Sequence, residues 1–161
     1  MARHDNEVRI TPSVLDRLID SEPGLTREPV ASRSKTLSQL KQSVRRDLEW
    51  LLNTRQEITY IAPEMKELTS SVATYGLKDF SAANAKSTGD QNRLRQAIEC
   101  AVKTFEPRLE QVTVQLEQMR DPERILRFRI SGRLRVEPAP EPVTFDTMLQ
   151  LGTGEYLVRE G

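Results

Sequence analysis

The stretch Leu126-Arg-Phe-Arg-Ile-Ser-Gly-Arg-Leu-Arg-Val136 decides the fold. Leu126, Phe128, Ile130, Leu134 and Val136 share one parity, and Arg127, Arg129, Ser131, Arg133 and Arg135 share the other. Period-two alternation marks a strand with one face buried and one face wet. Gly132 falls on the apolar parity, where a missing side chain predicts a bulge or a close backbone approach. Upstream, Val112, Val114 and Leu116 alternate with Gln111, Thr113, Gln115 and Glu117, and Asp121-Pro122 supplies turn chemistry between the two runs. Downstream, Glu137-Pro-Ala-Pro-Glu-Pro142 reads as a stiff connection, and Val143, Phe145, Thr147, Leu149 and Leu151 alternate again. Gly152-Thr-Gly154 then turns into Glu155-Tyr-Leu-Val-Arg159. The expectation is a mostly antiparallel sheet of three to four strands.

Toward the N-terminus the period changes to that of a helix. Leu37, Leu40, Val44, Leu48 and Leu51 form one stripe, which predicts a helix from Thr36 to about Asn53. Thr36 with Gln39 has the spacing of a capping box. Trp50 and Leu52 are expected to widen the apolar surface, with Trp50 as a core anchor. A second stripe, Leu94, Ile98, Ala101 and Phe105, predicts a helix from about Gly89, capped through Thr88 and Gln91 and ended by Pro107. Between them, Pro63 is expected to open a short helix through Val72, and Gly76 to take a left-handed turn conformation. Asp79-Phe80-Ser81 and the polar run up to Gly89 read as surface loop. Ser13-Val-Leu-Asp-Arg-Leu-Ile-Asp20 reads as a short amphipathic helix with Pro12 in its first turn and an apolar edge of Val14, Leu15, Leu18 and Ile19. Residues 22–35 read as a linker loop. Helices followed by an antiparallel sheet make an α+β arrangement. Residues 1–35 are expected to form a helix-and-loop arm, and 36–161 one α+β domain.

Composition narrows the function. The 161 residues carry 24 basic and 24 acidic side chains, so an overall polybasic nucleic-acid binder is disfavoured. Cys100 is the single cysteine, so no internal disulfide forms and a reducing compartment is favoured. Cys100 itself, between Ile98 and Ala101, is expected in or near the core. The one histidine, His4, and one cysteine do not make a structural zinc site, and no cofactor or metal is expected. No apolar run reaches the roughly 18 residues of a membrane span. The start of the chain lacks a signal-peptide pattern, so a cytoplasmic protein without membrane insertion is expected.

Three sets of residues are candidates for function. Arg124, Arg127, Arg129, Arg133 and Arg135 put five cations within 12 residues. Such a face suits an acidic protein surface or phosphates. Its alternative is a solvated sheet face paired with Glu110 and Glu117 on a neighbouring strand. No aromatics interleave with the arginines to stack bases, which demotes nucleic acid. Glu106-Pro107-Arg108 follows the second strong helix and reads as a rigid corner presenting opposite charges. As a bare feature it is a proline stop with a surface ion pair, worth about 0–1 kcal/mol. Glu99, Glu106 and Glu110 are available as a hydrolytic carboxylate pair, but nothing in the sequence marks one of them as desolvated. Glycine-rich phosphate loops are absent.

Five segments in order resemble one family. Ser43-Val-Arg-Arg-Asp-Leu-Glu-Trp-Leu-Leu-Asn-Thr-Arg55 looks like its signature helix, Thr74-Tyr-Gly-Leu-Lys-Asp-Phe80 its Tyr-Gly-Leu turn, and Phe105-Glu-Pro-Arg-Leu109 its Glu-Pro-Arg motif. Arg127 to Leu134 and Val143 to Leu149 look like its last strands. Over about residues 10–160 the chain resembles the TssE family of type VI secretion baseplate wedge subunits, similar to the wedge protein of contractile phage tail baseplates. The resemblance implies a non-enzymatic structural role with the baseplate subunits TssF, TssG and TssK. It also implies initiation of the sheath built from TssB and TssC, by pairing strands at an edge of the sheet. In that picture Glu106, Pro107 and Arg108 dock on wedge partners, and Arg127, Arg129, Arg133 and Arg135 are candidates for the same kind of contact. No small-molecule substrate, nucleic acid or cofactor is implied, and the protein would be cytoplasmic, recruited to the inner face of the envelope with the baseplate. The alternatives are a cell-wall muramidase-type hydrolase and a nucleic-acid-binding regulator using the Arg strand.

Overall fold

The computed structural model describes residues 13–19, 33–58, 60–80, 87–117 and 125–161. Pro12, residues 22–32 of the loop expected over 22–35, the run 81–86, the Asp121-Pro122 turn and Arg124 lie outside the described residues, and residues 33–35 of that loop are instead the first turn of a helix. The elements in order are α1 (Val14–Leu18), α2 (Arg33–Asn53), two short 3-10 helices (Lys66–Ser70 and Val72–Thr74) and α3 (Thr88–Phe105). Four strands follow, β1 (Leu109–Leu116), β2 (Ile125–Leu134), β3 (Glu141–Gln150) and β4 (Glu155–Glu160). They form one antiparallel sheet in the order β1-β2-β3-β4. The α+β arrangement is therefore as the alternating periods imply.

The core lies between α2, α3 and one face of the sheet. Leu40, Val44, Leu48, Leu51 and Leu52 of α2 meet Leu94, Ile98, Ala101 and Val102 of α3, and both meet the inward row Leu126, Phe128, Ile130, Val143, Phe145, Leu149, Tyr156 and Val158. α2 runs along β4 and α3 along β1. The Gly132 expectation has a specific cause. Register shifts between Glu110 and Thr113, so Gln111 and Val112 together oppose Gly132. That bulge puts Gln111 at φ 51° and brings the Glu110 carbonyl to 3.1 Å from where a Gly132 Cβ would stand.

Several local expectations are corrected. α2 starts at Arg33, so Thr36 and Gln39 lie inside the helix and are not its cap. α3 is capped one residue earlier than expected, by Ser87 accepting from the Asp90 N–H. The segment after Pro63 winds as two 3-10 turns and not as an α-helix. Trp50 is 52% exposed, and Cys100 is exposed as well. Both have the same geometric reason: each lies two residues, about 200° of helix rotation, from a stripe residue (Leu48 and Ile98). The apolar edge of α1 also faces outward, with Val14 and Leu18 each 76% exposed, because a polar contact through Asp16 holds that helix to the body. Gly76 has φ +105°, as its turn requires, and a Cβ there would stand 2.3 Å from the Thr54 carbonyl oxygen.

Candidate functional site at the helix-to-sheet corner

α3 ends at Phe105 and is capped by Glu106, whose backbone N–H still bonds the Val102 carbonyl at 2.9 Å. Pro107 has no N–H to donate and turns the chain out of the helix into β1. The turn brings the Arg108 guanidinium back onto Glu106, with Nε to Oε1 at 2.7 Å and a second bond from Nη2 to Oε2. This fork-on-carboxylate geometry is the strong form of an ion pair. Glu106 is only 4% exposed, so the pair is largely withdrawn from water and is not the surface pair the bare motif suggested.

Arg108 is also a node between elements. Its Nη2 donates to Asp47 Oδ2 at 2.6 Å, and its Nη1 donates to Ser43 Oγ at 2.9 Å, both on α2. The Ser43 hydroxyl donates in turn to the Asp16 carboxylate of α1 at 2.8 Å. Arg46 completes the cluster, with Nη2 at 2.9 Å from both Asp16 and Asp47 and its guanidinium 5.2 Å from the centre of the Trp50 ring. Burial pushes the Asp16 carboxyl up, but bonds from Ser13, Ser43 and Arg46 outweigh it and bring the pKa down to about 2. Burial likewise disfavours the Arg108 cation, and Glu106 and Asp47 overcome that and hold it charged. One network of alternating charge thus ties α1, α2 and the α3–β1 corner together.

A surface pocket of about 460 Å³ opens on this corner. Leu48, Leu51, Tyr75 and Phe105 form its apolar wall; Asp47, Glu106 and Arg108 give it polar groups, with Pro107 and Ser13 also lining it. Tyr75 and Phe105 meet edge to face at 5.2 Å. Burial, and then the charges of Asp47 and Glu106, push the Tyr75 hydroxyl pKa up. Pro107 is exposed, whereas the two charged residues of its motif are turned into the network. Sequence reasoning found Glu106, Pro107 and Arg108 but missed Asp16, Ser43, Asp47 and Tyr75. The available signal was the four-residue spacing of Ser43 and Asp47, which puts both on one polar side of α2.

The arginine strand lies elsewhere, on the outward face of the sheet. Arg127, Arg129, Arg133 and Arg135 are exposed there. Arg129 bonds Glu117 at 2.9 Å and Asp146 at 3.0 Å, and Arg135 bonds Glu110. The face is therefore a lattice of both signs across three strands. It meets the corner through the backbone, where the Arg135 N–H donates to the Arg108 carbonyl at 2.9 Å. Of the three carboxylates considered for hydrolysis, Glu99 has its pKa lowered, first by its bond from Lys103, where a general acid needs a raised one. Glu106 is held by Arg108, and Glu110 by Arg135. Among the described residues no cluster of three or more His, Cys, Asp or Glu forms a metal site, and no helix is long and apolar enough to cross a membrane.

A solved structure described as the baseplate complex from the type VI secretion system shares this fold, at a TM-score of 0.50 and 17% identity over 70% of this chain and 96% of that one. No curated protein sequence matches. The family described as baseplate wedge protein gp25 matches residues 38–139, a span that runs from α2 through the Glu-Pro-Arg corner to the end of β2 and beyond. That span is more than half of the chain, and the chain belongs to the gp25 baseplate wedge family.

Proposed function

We propose that this chain is a non-enzymatic, TssE-like subunit of a type VI secretion baseplate wedge. It docks on TssF, TssG and TssK and starts polymerisation of the TssB–TssC sheath around the inner tube. The protein works in the cytoplasm, at the inner face of the envelope where the baseplate sits. Membership of the baseplate wedge family carries the structural role. The shared fold with a component of a type VI baseplate complex supports the type VI setting. Sheath initiation proceeds by strand pairing at a sheet edge.

The docking surface on wedge partners is the corner pocket. Glu106 and Arg108 shape its floor from within the network, and Pro107, Tyr75 and Phe105 offer the contact. The outward arginines 127, 129, 133 and 135 serve a second partner surface, with their carboxylate neighbours setting its register. The test is a pull-down of the tagged full chain from cells running the secretion machine. The unsubstituted chain is expected to bring down the other wedge subunits, and Pro107→Arg to lose them while keeping its thermal midpoint. Equal recovery with Pro107→Arg would remove the corner from the docking surface.

A further inference from the structure

The charges of the corner network do not balance. Among the described residues it joins three carboxylates, Asp16, Asp47 and Glu106, to two guanidiniums, Arg46 and Arg108. One negative charge is left over. Arg108 is fully engaged in holding the floor: its Nη2 serves Asp47 Oδ2 and Glu106 Oε2 together, and its Nη1 turns to Ser43. Asp47 is not saturated. Its Oδ1 accepts from Nε and Nη2 of Arg46, and its Oδ2 accepts from Arg108. A carboxylate offers about four acceptor sites, so Oδ2 can take another donor. The Asp47 side chain is 25% exposed and lines the pocket.

The Tyr75 hydroxyl, on the same pocket, feels the excess. Burial raises its pKa first, and the charges of Asp47 and Glu106 raise it further. The remaining wall is apolar, with Leu48 and Leu51 buried and the rings of Tyr75 and Phe105 half-buried. At about 460 Å³ the pocket has room for a long side chain.

This combination selects its occupant. An acidic group meets the surplus negative charge. A purely apolar anchor fits the wall but takes water from Asp47 and the Tyr75 hydroxyl without replacing its hydrogen bonds. A long basic side chain answers both halves, with its stem along Leu48, Leu51 and Phe105 and its charged head at Asp47. A guanidinium adds a flat face for the Tyr75 ring and several N–H groups in a fixed fork.

We propose that the corner pocket seats an arginine side chain carried by a wedge partner, with its guanidinium between Asp47 and Tyr75. The proposal rests on the docking role given to this corner above and names the chemistry that docking uses. The incoming cation balances the network, and Arg108 keeps the floor rigid while it binds.

Two probes of similar length test this on the full chain, Nα-acetyl-arginine amide and Nα-acetyl-norleucine amide, titrated while the NMR signals of the Tyr75 and Phe105 rings are followed. The arginine probe is expected to shift both rings and to bind about tenfold tighter than norleucine, a preference that fades at high salt. Tyr75→Phe keeps the ring and loses the hydroxyl. It is expected to keep its thermal midpoint, to weaken the arginine probe about threefold and to lower recovery of wedge subunits in the pull-down. Norleucine binding as tightly as arginine, or neither probe shifting the rings, overturns the proposal. A Tyr75→Phe chain that loses the arginine probe but recovers wedge subunits in full overturns the partner's arginine as the occupant. Failure of the docking role is read separately, from full recovery of wedge subunits with Pro107→Arg.

Discussion

Replacing Arg108 with alanine tests whether the Glu-Pro-Arg corner is an internal strut. The side chain makes two bonds to Glu106, one to Asp47 and one to Ser43. Removing it leaves the Glu106 carboxylate, 4% exposed, with a bond from the backbone N–H of residue 108 at 3.1 Å. Stranding one charge of a buried pair costs about 3–5 kcal/mol. The Arg108 side chain is 23% exposed, so water reaches part of the vacated site, and a loss near the lower end, about 3 kcal/mol, is expected. For a domain of this size that is roughly 6–12 °C in melting temperature. Urea unfolding followed by circular dichroism gives the number directly. Glu106→Gln combined with Arg108→Ala closes the cycle, and the pair is expected to cost about 1–2 kcal/mol less than the sum of the single losses. Arg108→Lys keeps a charge but not the fork, and is expected to restore less than half of the loss. A stability for Arg108→Ala within about 0.5 kcal/mol of the parent, with no coupling to Glu106, would refute the strut.

Other outcomes follow from single observations. Thr147 lies in the core with a hydroxyl that has no partner among the described residues, so Thr147→Val is expected to stabilise by about 1 kcal/mol in the same urea assay. Gly76→Ala, at φ +105° and with the Thr54 carbonyl in the way, is expected to cost about 2 kcal/mol or more. Asp16 has its carboxyl pKa lowered from 3.8 to about 2, so its contribution is complete above pH 4 and is lost as pH falls through about 2. A titration of the Asp16 carboxyl carbon by NMR is expected to show that depressed midpoint, and Asp16→Asn to remove the pH dependence of α1 attachment. Asp146→Asn on the exposed arginine face is expected to change stability by less than about 1 kcal/mol.

What was legible in the sequence, and what was not, divides along physical lines. The stripes Leu40–Val44–Leu48–Leu51 and Leu94–Ile98–Ala101 and the alternation through Phe128, Ile130 and Phe145 announce their burial, because apolar periodicity reports the face turned to the core. Gly132 flagged a close approach but not that β1 would carry the bulge, since register belongs to the pair of strands. The corner was visible as Glu106-Pro107-Arg108, but its partners Asp16, Ser43 and Asp47 come from up to 92 residues away and are polar residues of ordinary appearance. Trp50 and Cys100 were misread for the opposite reason: residue type outweighed helix phase, and phase decided. Asn53 looked like a helix end, and its pairing with Tyr156 is a tertiary contact that no local pattern encodes.

The proposed role makes this chain the wedge subunit from which a contractile sheath grows. Fluorescent sheaths counted per cell, in a strain lacking the chain with and without a plasmid copy, test that role. Sheaths are expected to disappear without the chain and to return with it. Sheaths of normal number and length in its absence would rule the role out.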